Sequence, residues 1–251
     1  MRTPVSRVSL PNAAAPVSFG AGLTNPGRLR ARNEDAILTD PTGSLWAVAD
    51  GMGGYGHGDV ASDLVVDTLL KAPDGGDPDE TLVSLLEEAN ELVHRKAQSV
   101  GTEIMGSTVV ALLIDRAIGH VAWAGDSRAY LLRNGALRLL TRDHTVVQDL
   151  VEQGMIAEVD ARSHVEAHIV TRAVGAAAEL EVDLATVPLV SGDRLLLCSD
   201  GLTACLGDLS IAWQLAIAVT PEEACQRLVG AALDDGAPDN VSVVVVFVGE
   251  A

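Results

Sequence analysis

The sequence predicts an α+β fold with sheets inside and helices outside. Two observations predict it. Short apolar, β-branched runs alternate with pairs of amphipathic helical segments, the pattern of a layered sheet-and-helix protein. Hydrophobic residues make up 48% of the 251 residues and aromatics only 3%, so the core must be built from Val, Leu, Ile and Ala. A charged fraction of 21% places the chain among globular sequences rather than disordered ones.

Residues 1–16 contain three prolines and no continuous apolar run. They read as a flexible extension, a poor signal peptide, ahead of a single domain over 17–251. A short strand is expected at 36–38. A buried strand at 45–49 should end at Asp50 and a glycine-rich turn. Over 59–71, Val60, Leu64, Val65, Thr68 and Leu69 recur at helical spacing. Asp59, Asp63 and Asp67 then fall four apart on a solvated face. The stretch 73–80 is a loop by its punctuation. A second amphipathic helix is expected over 81–98, with Leu82, Leu85, Leu86, Ala89, Leu92 and Val93 on one stripe and His94 beside it at the surface.

The period then changes. Strands are expected at 107–114, 119–124 and 129–133, with Asn134-Gly135 as a hairpin turn into 136–140. Residues 145–153 look helical, and 154–180 irregular and polar. Strands at 181–187, 194–198 and 242–248 and helices at 208–218 and 221–233 complete the chain. The run Val241-Ser-Val-Val-Val-Val-Phe-Val is too long and too β-branched for anything but a buried strand.

A formal net charge of −18 leaves no basic footprint, which argues against nucleic acid and anionic membranes as partners. Most of that charge serves solubility, and part can hold divalent cations. No apolar stretch reaches the roughly 20 residues of a membrane span. The expectation is a soluble, cytoplasmic monomer. Cys198, Cys205 and Cys225 are too few and too scattered for a disulfide framework or a zinc cluster. Cys198, beside Leu195-Leu196-Leu197, reads as a small buried hydrophobe.

Four segments share one design, an apolar strand followed by an aspartate among turn residues. They hold Asp50, Asp126, Asp200 and Asp239. Asn33-Glu34-Asp35 is a fifth acidic group, just ahead of a strand. Aspartate is a poor strand residue and costly to bury unless paired or metal-bound. Singly, each is an ordinary turn. Four at the ends of buried strands point to hard divalent ions, each of which wants about six oxygen ligands. Glycine beside the ligand lets a backbone carbonyl reach the metal.

In order, Gly27-x-x-Arg30-x-x-Asn33-Glu34-Asp35, Asp50-Gly51-Met52-Gly53-Gly54, Gly106-Ser107-Thr108, Gly125-Asp126-Ser127-Arg128, Ser199-Asp200-Gly201 and Asp239-Asn240 resemble the motif set of PPM-type protein phosphatases. This is the metal-dependent protein phosphatase 2C family, here in its compact bacterial version. The resemblance runs from about residue 18 to 248. It implies a four-layer α/β/β/α sandwich of two central, mainly antiparallel sheets, with a dinuclear metal site at one end.

The resemblance also implies roles. Asp50 would bridge two Mn2+ or Mg2+ ions. Asp200 and Asp239 would complete the shell of the first ion, and the Gly51 carbonyl would bind the second, with Glu34 and Asp35 holding its waters. Asp126, with Asp200, would match a weaker third site. Arg30 would grip the substrate phosphate through a planar fork of donors that a lysine lacks. The implied activity is hydrolysis of phosphoserine and phosphothreonine by in-line attack of a metal-bridging hydroxide, without a phosphoenzyme. The implied partners are phosphoprotein substrates and a cognate serine/threonine kinase.

Some positions depart from the family. Met52 stands where eukaryotic relatives carry a histidine proposed to protonate the leaving group. Tyr55 follows the Gly-Gly pair in place of the usual bacterial histidine, and His57 comes two residues later. The stretch 154–174 corresponds to the family's flap, where Glu166-Ala167-His168 replaces a proline-x-arginine-asparagine pattern. Two other readings stand beside the phosphatase. A non-catalytic regulator would have lost metal ligands, and none of the main ones is missing. A phosphatase dedicated to one small phosphoprotein would often carry a sensory domain.

Overall fold

The computed structural model describes residues 17–250 except 41–42, 54–56, 102–104 and 162–163. The extension 1–16, Gly54 and Tyr55 lie outside the described residues. In chain order the elements are β1 (Val17–Asn25), β2 (Asp35–Thr39), β3 (Leu45–Gly53), α1 (Gly58–Leu69), α2 (Pro78–Val100), β4 (Met105–Asp115), β5 (Ile118–Ala124), β6 (Arg128–Arg133) and β7 (Ala136–Leu139). There follow α3 (Val146–Glu152), α4 (Glu158–Ala161), β8 (Asp183–Pro188), β9 (Arg194–Cys198), α5 (Asp200–Cys205), α6 (Asp208–Ile217), α7 (Pro221–Asp234) and β10 (Val241–Gly249).

The strands form two five-stranded sheets, β1-β10-β9-β6-β7 and β2-β3-β4-β5-β8, antiparallel throughout. Side-chain alternation builds three cores. In β10, Val243, Val245 and Phe247 face α5–α7, while Val244, Val246 and Val248 face the other sheet. In β3, Trp46 and Val48 face the inter-sheet core, and Ala47 and Ala49 face α1 and α2. Strands buried on both faces read as continuous apolar runs, which explains the run at 241–248. The result is the four-layer α/β/β/α sandwich. Cys198 and Cys225 are buried and free, and burial pushes each thiol up to about 12. Among the described residues no helix is long and apolar enough to cross a membrane.

The structure corrects several expected boundaries. Helix α2 starts at Pro78, inside the expected loop, because Asp77 caps it by accepting from the Asp79 and Glu80 N–H groups. Proline at the first helical position suits that start. Strand β3 runs past Asp50 to Gly53, since Gly51, Met52 and Gly53 keep pairing with β4. Ser199-Asp200-Gly201 is a helix start rather than a simple turn. Strand β1 is unannounced in the sequence, because Gly20 and Gly22 break its apolar pattern. His94 is half-buried, with Nδ1 3.3 Å from the Gly175 carbonyl. The Asn134-Gly135 hairpin is as expected, with both residues at positive φ (52° and 79°).

Candidate metal centre

Antiparallel pairing brings the acidic segments to one end of the sandwich. Asp35 opens β2 and pairs across to Asp50 on β3, which pairs in turn with Thr108 on β4. Asp126 follows the end of β5 in that same sheet. Asp200 follows the end of β9, and Asp239 precedes the start of β10, its antiparallel neighbour. One cleft of about 690 Å³ is lined by Arg30, Glu34, Asp50, Gly51, Met52, Thr108, Asp126, His168, Asp200, Asp239 and other residues. Asp35 lies behind them, buried.

The carboxylates raise one another's affinity for protons, on top of their burial. Burial raises the Asp50 carboxyl well above the usual range, and Asp35, Asp200, Asp126 and Asp239 push it further. Burial and then Asp200 lift Asp126 to about 7. Burial lifts Asp35 to about 6 against hydrogen bonds from Ser242 and Ser199. Asp200 is raised by burial and Asp239, opposed by His168, a hydrogen bond to Asp50, and Arg30. The Arg30 guanidinium donates through Nη2 to Asp239 Oδ2 at 2.7 Å. It is 57% exposed and leaves its other donors uncommitted to Asp239.

A buried polar lattice supports this cluster from beneath. Ser199 Oγ donates to Asp35 Oδ2 at 2.9 Å, tying one sheet to the other. The Ser242 N–H donates to Ser199 Oγ at 3.0 Å, and Ser242 Oγ shares a 2.7 Å bond with Thr24 Oγ1. Asn33 Nδ2 closes the set by donating to Thr24 Oγ1 at 2.7 Å. Asp35 Oδ1 is buried without a partner, which is unusual for a carboxylate oxygen. Gly51 packs against the first residue of α1. A Cβ there would lie 2.0 Å from the Gly58 carbonyl oxygen, so only glycine fits.

Among the described residues, no three His, Cys, Asp or Glu side chains close on one point tightly enough to hold an ion as they stand. The chemistry of the donor set nevertheless suits hard divalent cations. It is all oxygen, it carries unbalanced negative charge, and it includes an orphaned buried carboxylate oxygen.

Sequence reasoning missed three residues at the site. His168, in the flap, lines the cleft. Its only signal was that it stood in a segment departing from the expected pattern. Asn240 was noted in a motif but given no task, and it proves to hold the Arg30 loop. Its Oδ1 accepts the Glu34 N–H at 2.8 Å, and its Nδ2 donates to the carbonyls of Pro26 and Arg32, each at 2.9 Å. Thr108, also a motif residue without a role, faces Asp50 and bonds Ser127 Oγ at 2.8 Å. His57 caps α1 without a side-chain cap bond and is not among the residues lining the cleft.

The raised carboxyls make the metal-free protein pH-sensitive. Folded Asp35 and Asp126 still bind protons at pH values where the unfolded chain, with carboxyls near 4, has lost them. The native state then holds more protons, so stability falls as pH rises from about 4 through about 7. In EDTA the melting temperature is expected to be lower at about pH 8 than at about pH 5, with added Mn2+ restoring most of the difference. A melting temperature in EDTA that held flat or rose over that range would contradict this electrostatic picture.

The protein phosphatase 2C family profile matches residues 28–228. The serine/threonine protein phosphatase PstP of Mycobacterium tuberculosis is 39% identical over 232 residues, covering 91% of this chain and 44% of that protein. The chain thus spans less than half the length of that relative. The serine/threonine phosphatase stp of Listeria monocytogenes is 35% identical over 238 residues, covering 89% of this chain and 93% of the relative. A solved structure of the PstP catalytic domain in complex with two manganese ions superposes with a TM-score of 0.86 at 36% identity, covering 93% of this chain and 99% of that one. The chain belongs to the protein phosphatase 2C family, in its bacterial PPM form.

Proposed function

We propose that the chain is a metal-dependent protein serine/threonine phosphatase that reverses the action of a serine/threonine kinase. One observation carries the reading. Asp50, Asp126, Asp200 and Asp239, from four separate segments, line a single cleft together with Arg30. The names of the relatives and the manganese pair in the PstP catalytic domain support the same activity.

Asp50 would be shared between two Mn2+ or Mg2+ ions, with Asp200 and Asp239 on the first and the Gly51 carbonyl on the second. Glu34 and Asp35 would order the waters of the second ion, and Asp126 with Asp200 would hold a third. When bound, the ions supply a water deprotonated near neutral pH and positive charge against the phosphate. Arg30 stands at the mouth of the cleft, exposed and anchored through Asp239, where its remaining donors can take two phosphate oxygens. Met52 lines the cleft and has no proton to give, so it does not serve as acid.

Hydrolysis of a phosphothreonine peptide or p-nitrophenyl phosphate is expected to require Mn2+ and to vanish with EDTA. Activity that survives full chelation would refute the proposal. Arg30→Ala is expected to raise KM by about 10–100-fold with a smaller change in kcat, the loss of charge-assisted hydrogen bonds to phosphate. A large fall in kcat at unchanged KM would give Arg30 another role.

A further inference from the structure

The segment just after β7 does not line the cleft, yet it reaches the turn that carries Asp126. His144 is buried, with 2% of its surface exposed. Its backbone N–H donates to the Gly125 carbonyl at 2.9 Å, and its ring Nδ1 stands 3.1 Å from the Gly125 nitrogen. A backbone amide can only donate, so Nδ1 carries the lone pair and the ring proton sits on Nε2. That proton faces Asp183 Oδ2, 3.3 Å from Nε2, and Arg172 Nη1 also stands 3.3 Å from that nitrogen. Arg172 holds Asp183 in turn, donating from Nη1 to Oδ1 at 2.7 Å.

The ring is fixed in its plane as well. Trp123 stacks on it with centroids 6.2 Å apart and planes 12° from parallel. The indole N–H of Trp123 donates to the Arg142 carbonyl at 2.8 Å, which anchors the stack. Burial lowers the basicity of His144, opposed by the hydrogen bond to Asp183, and Arg172 lowers it further. It is the contact with the Gly125 N–H that makes Nδ1 an acceptor.

Gly125 needs that restraint. It has φ +117°, and a Cβ there would lie 2.5 Å from Thr108 Cβ, so no other residue fits. Glycine is the most permissive residue, so its own backbone does not fix the direction of the next side chain. His144 holds Gly125 by both its N–H and its carbonyl, one residue before Asp126. We propose that His144 is the positioning residue of Asp126: its Nδ1 lone pair clamps the Gly125 amide and so aims the Asp126 carboxylate into the cleft. This rests on the reading of Asp126 as a metal ligand. No proton is transferred, and His144 itself touches neither ion nor substrate.

The test is calorimetric titration of the metal-free chain with MnCl2. His144→Phe keeps the ring and the stack but removes the acceptor. His144→Asn places an amide oxygen close to where Nδ1 stands. His144→Phe is expected to weaken the weakest binding step by about 10–100-fold, the usual loss when a group that orients a metal ligand is removed. His144→Asn should recover most of that affinity, and the tighter steps should not change in either variant. Asp126→Asn should weaken the same step, and adding His144→Phe to it should weaken that step no further.

A uniform loss across all steps in His144→Phe, or equal behaviour of the Phe and Asn variants, overturns the proposal. Weakening in Asp126→Asn beside an unaltered His144→Phe overturns it while leaving the reading of Asp126 intact. An unaltered Asp126→Asn overturns that reading and the proposal with it. If His144→Phe does not fold, Asp183→Ala at a half-exposed position removes the partner of the Nε2 proton. It should weaken the same step several-fold, and no change there also overturns the proposal.

Discussion

Asp50→Asn is expected to lower kcat by at least about 10³-fold, equivalent to about 4 kcal/mol of transition-state stabilisation. The same substitution should raise the melting temperature of the metal-free protein. The two effects share one cause. Asp50 is the carboxylate on which Asp35, Asp200, Asp126 and Asp239 all press, and its charge is buried without a compensating cation. An amide removes that repulsion while keeping the shape, so the folded state gains. In a protein of this size each kcal/mol shifts the melting temperature by about 2–4 °C. The amide is also a poor ligand for a hard divalent ion, so the ions that Asp50 would hold on the proposed reading lose that ligand. Parallel melts in EDTA and steady-state kinetics in Mn2+ separate the outcomes. Full activity in the variant would sink the metal-centre reading. Lost activity with a lower melting temperature would mean that the substitution damages the fold rather than the ligand set.

Asn240→Ala is expected to lower both stability and activity while leaving every carboxylate in place. The buried amide makes three bonds to the loop that carries Arg30 and Glu34. At roughly 0.5–1.5 kcal/mol for each bond, and more where a buried partner is left unsatisfied, the loss is about 2–4 kcal/mol. The loop spans 26–34, so both Arg30 and the acidic Glu34 lose their anchor. The variant should melt several degrees lower and show a raised KM for phosphopeptide together with a reduced kcat. Asn240→Asp should be intermediate in stability, because it keeps the acceptor for the Glu34 N–H and loses the two donors. An Asn240→Ala protein that melts with the parent would show that the bonds from the Asn240 amide do not hold the loop.

Much of this molecule is legible in one dimension, and the legible parts share a physical reason. Helix α2 announces itself because burial on one face imposes a period on its side chains, and strand β10 because burial on both faces leaves a continuous β-branched run. The aspartates announce themselves because a carboxylate at the end of a buried strand is costly without a partner. Where local chemistry competes with the pattern, the reading slips. Asp77 and Pro78 start α2 inside an apparent loop, and two glycines hide β1. Strand β3 continues past Asp50 because its partner strand continues to pair with it, a fact held in β4 rather than in β3.

The sequence by itself determined the layered α+β class, the buried strands, the family resemblance and the identity of the carboxylates. Those follow from local periodicity and from residue types at fixed spacing. Only the tertiary structure decided which groups meet. Antiparallel pairing of β2 with β3, and of β9 with β10, carries Asp35, Asp50, Asp200 and Asp239 to the same end of two different sheets. Ser199 then reaches across to Asp35 over 164 residues of sequence, and Asn240 reaches Glu34 over 206. The tasks of Asn240 and His144 are set by what lies opposite each side chain in space. Contacts between residues this far apart in sequence leave no periodic trace in it.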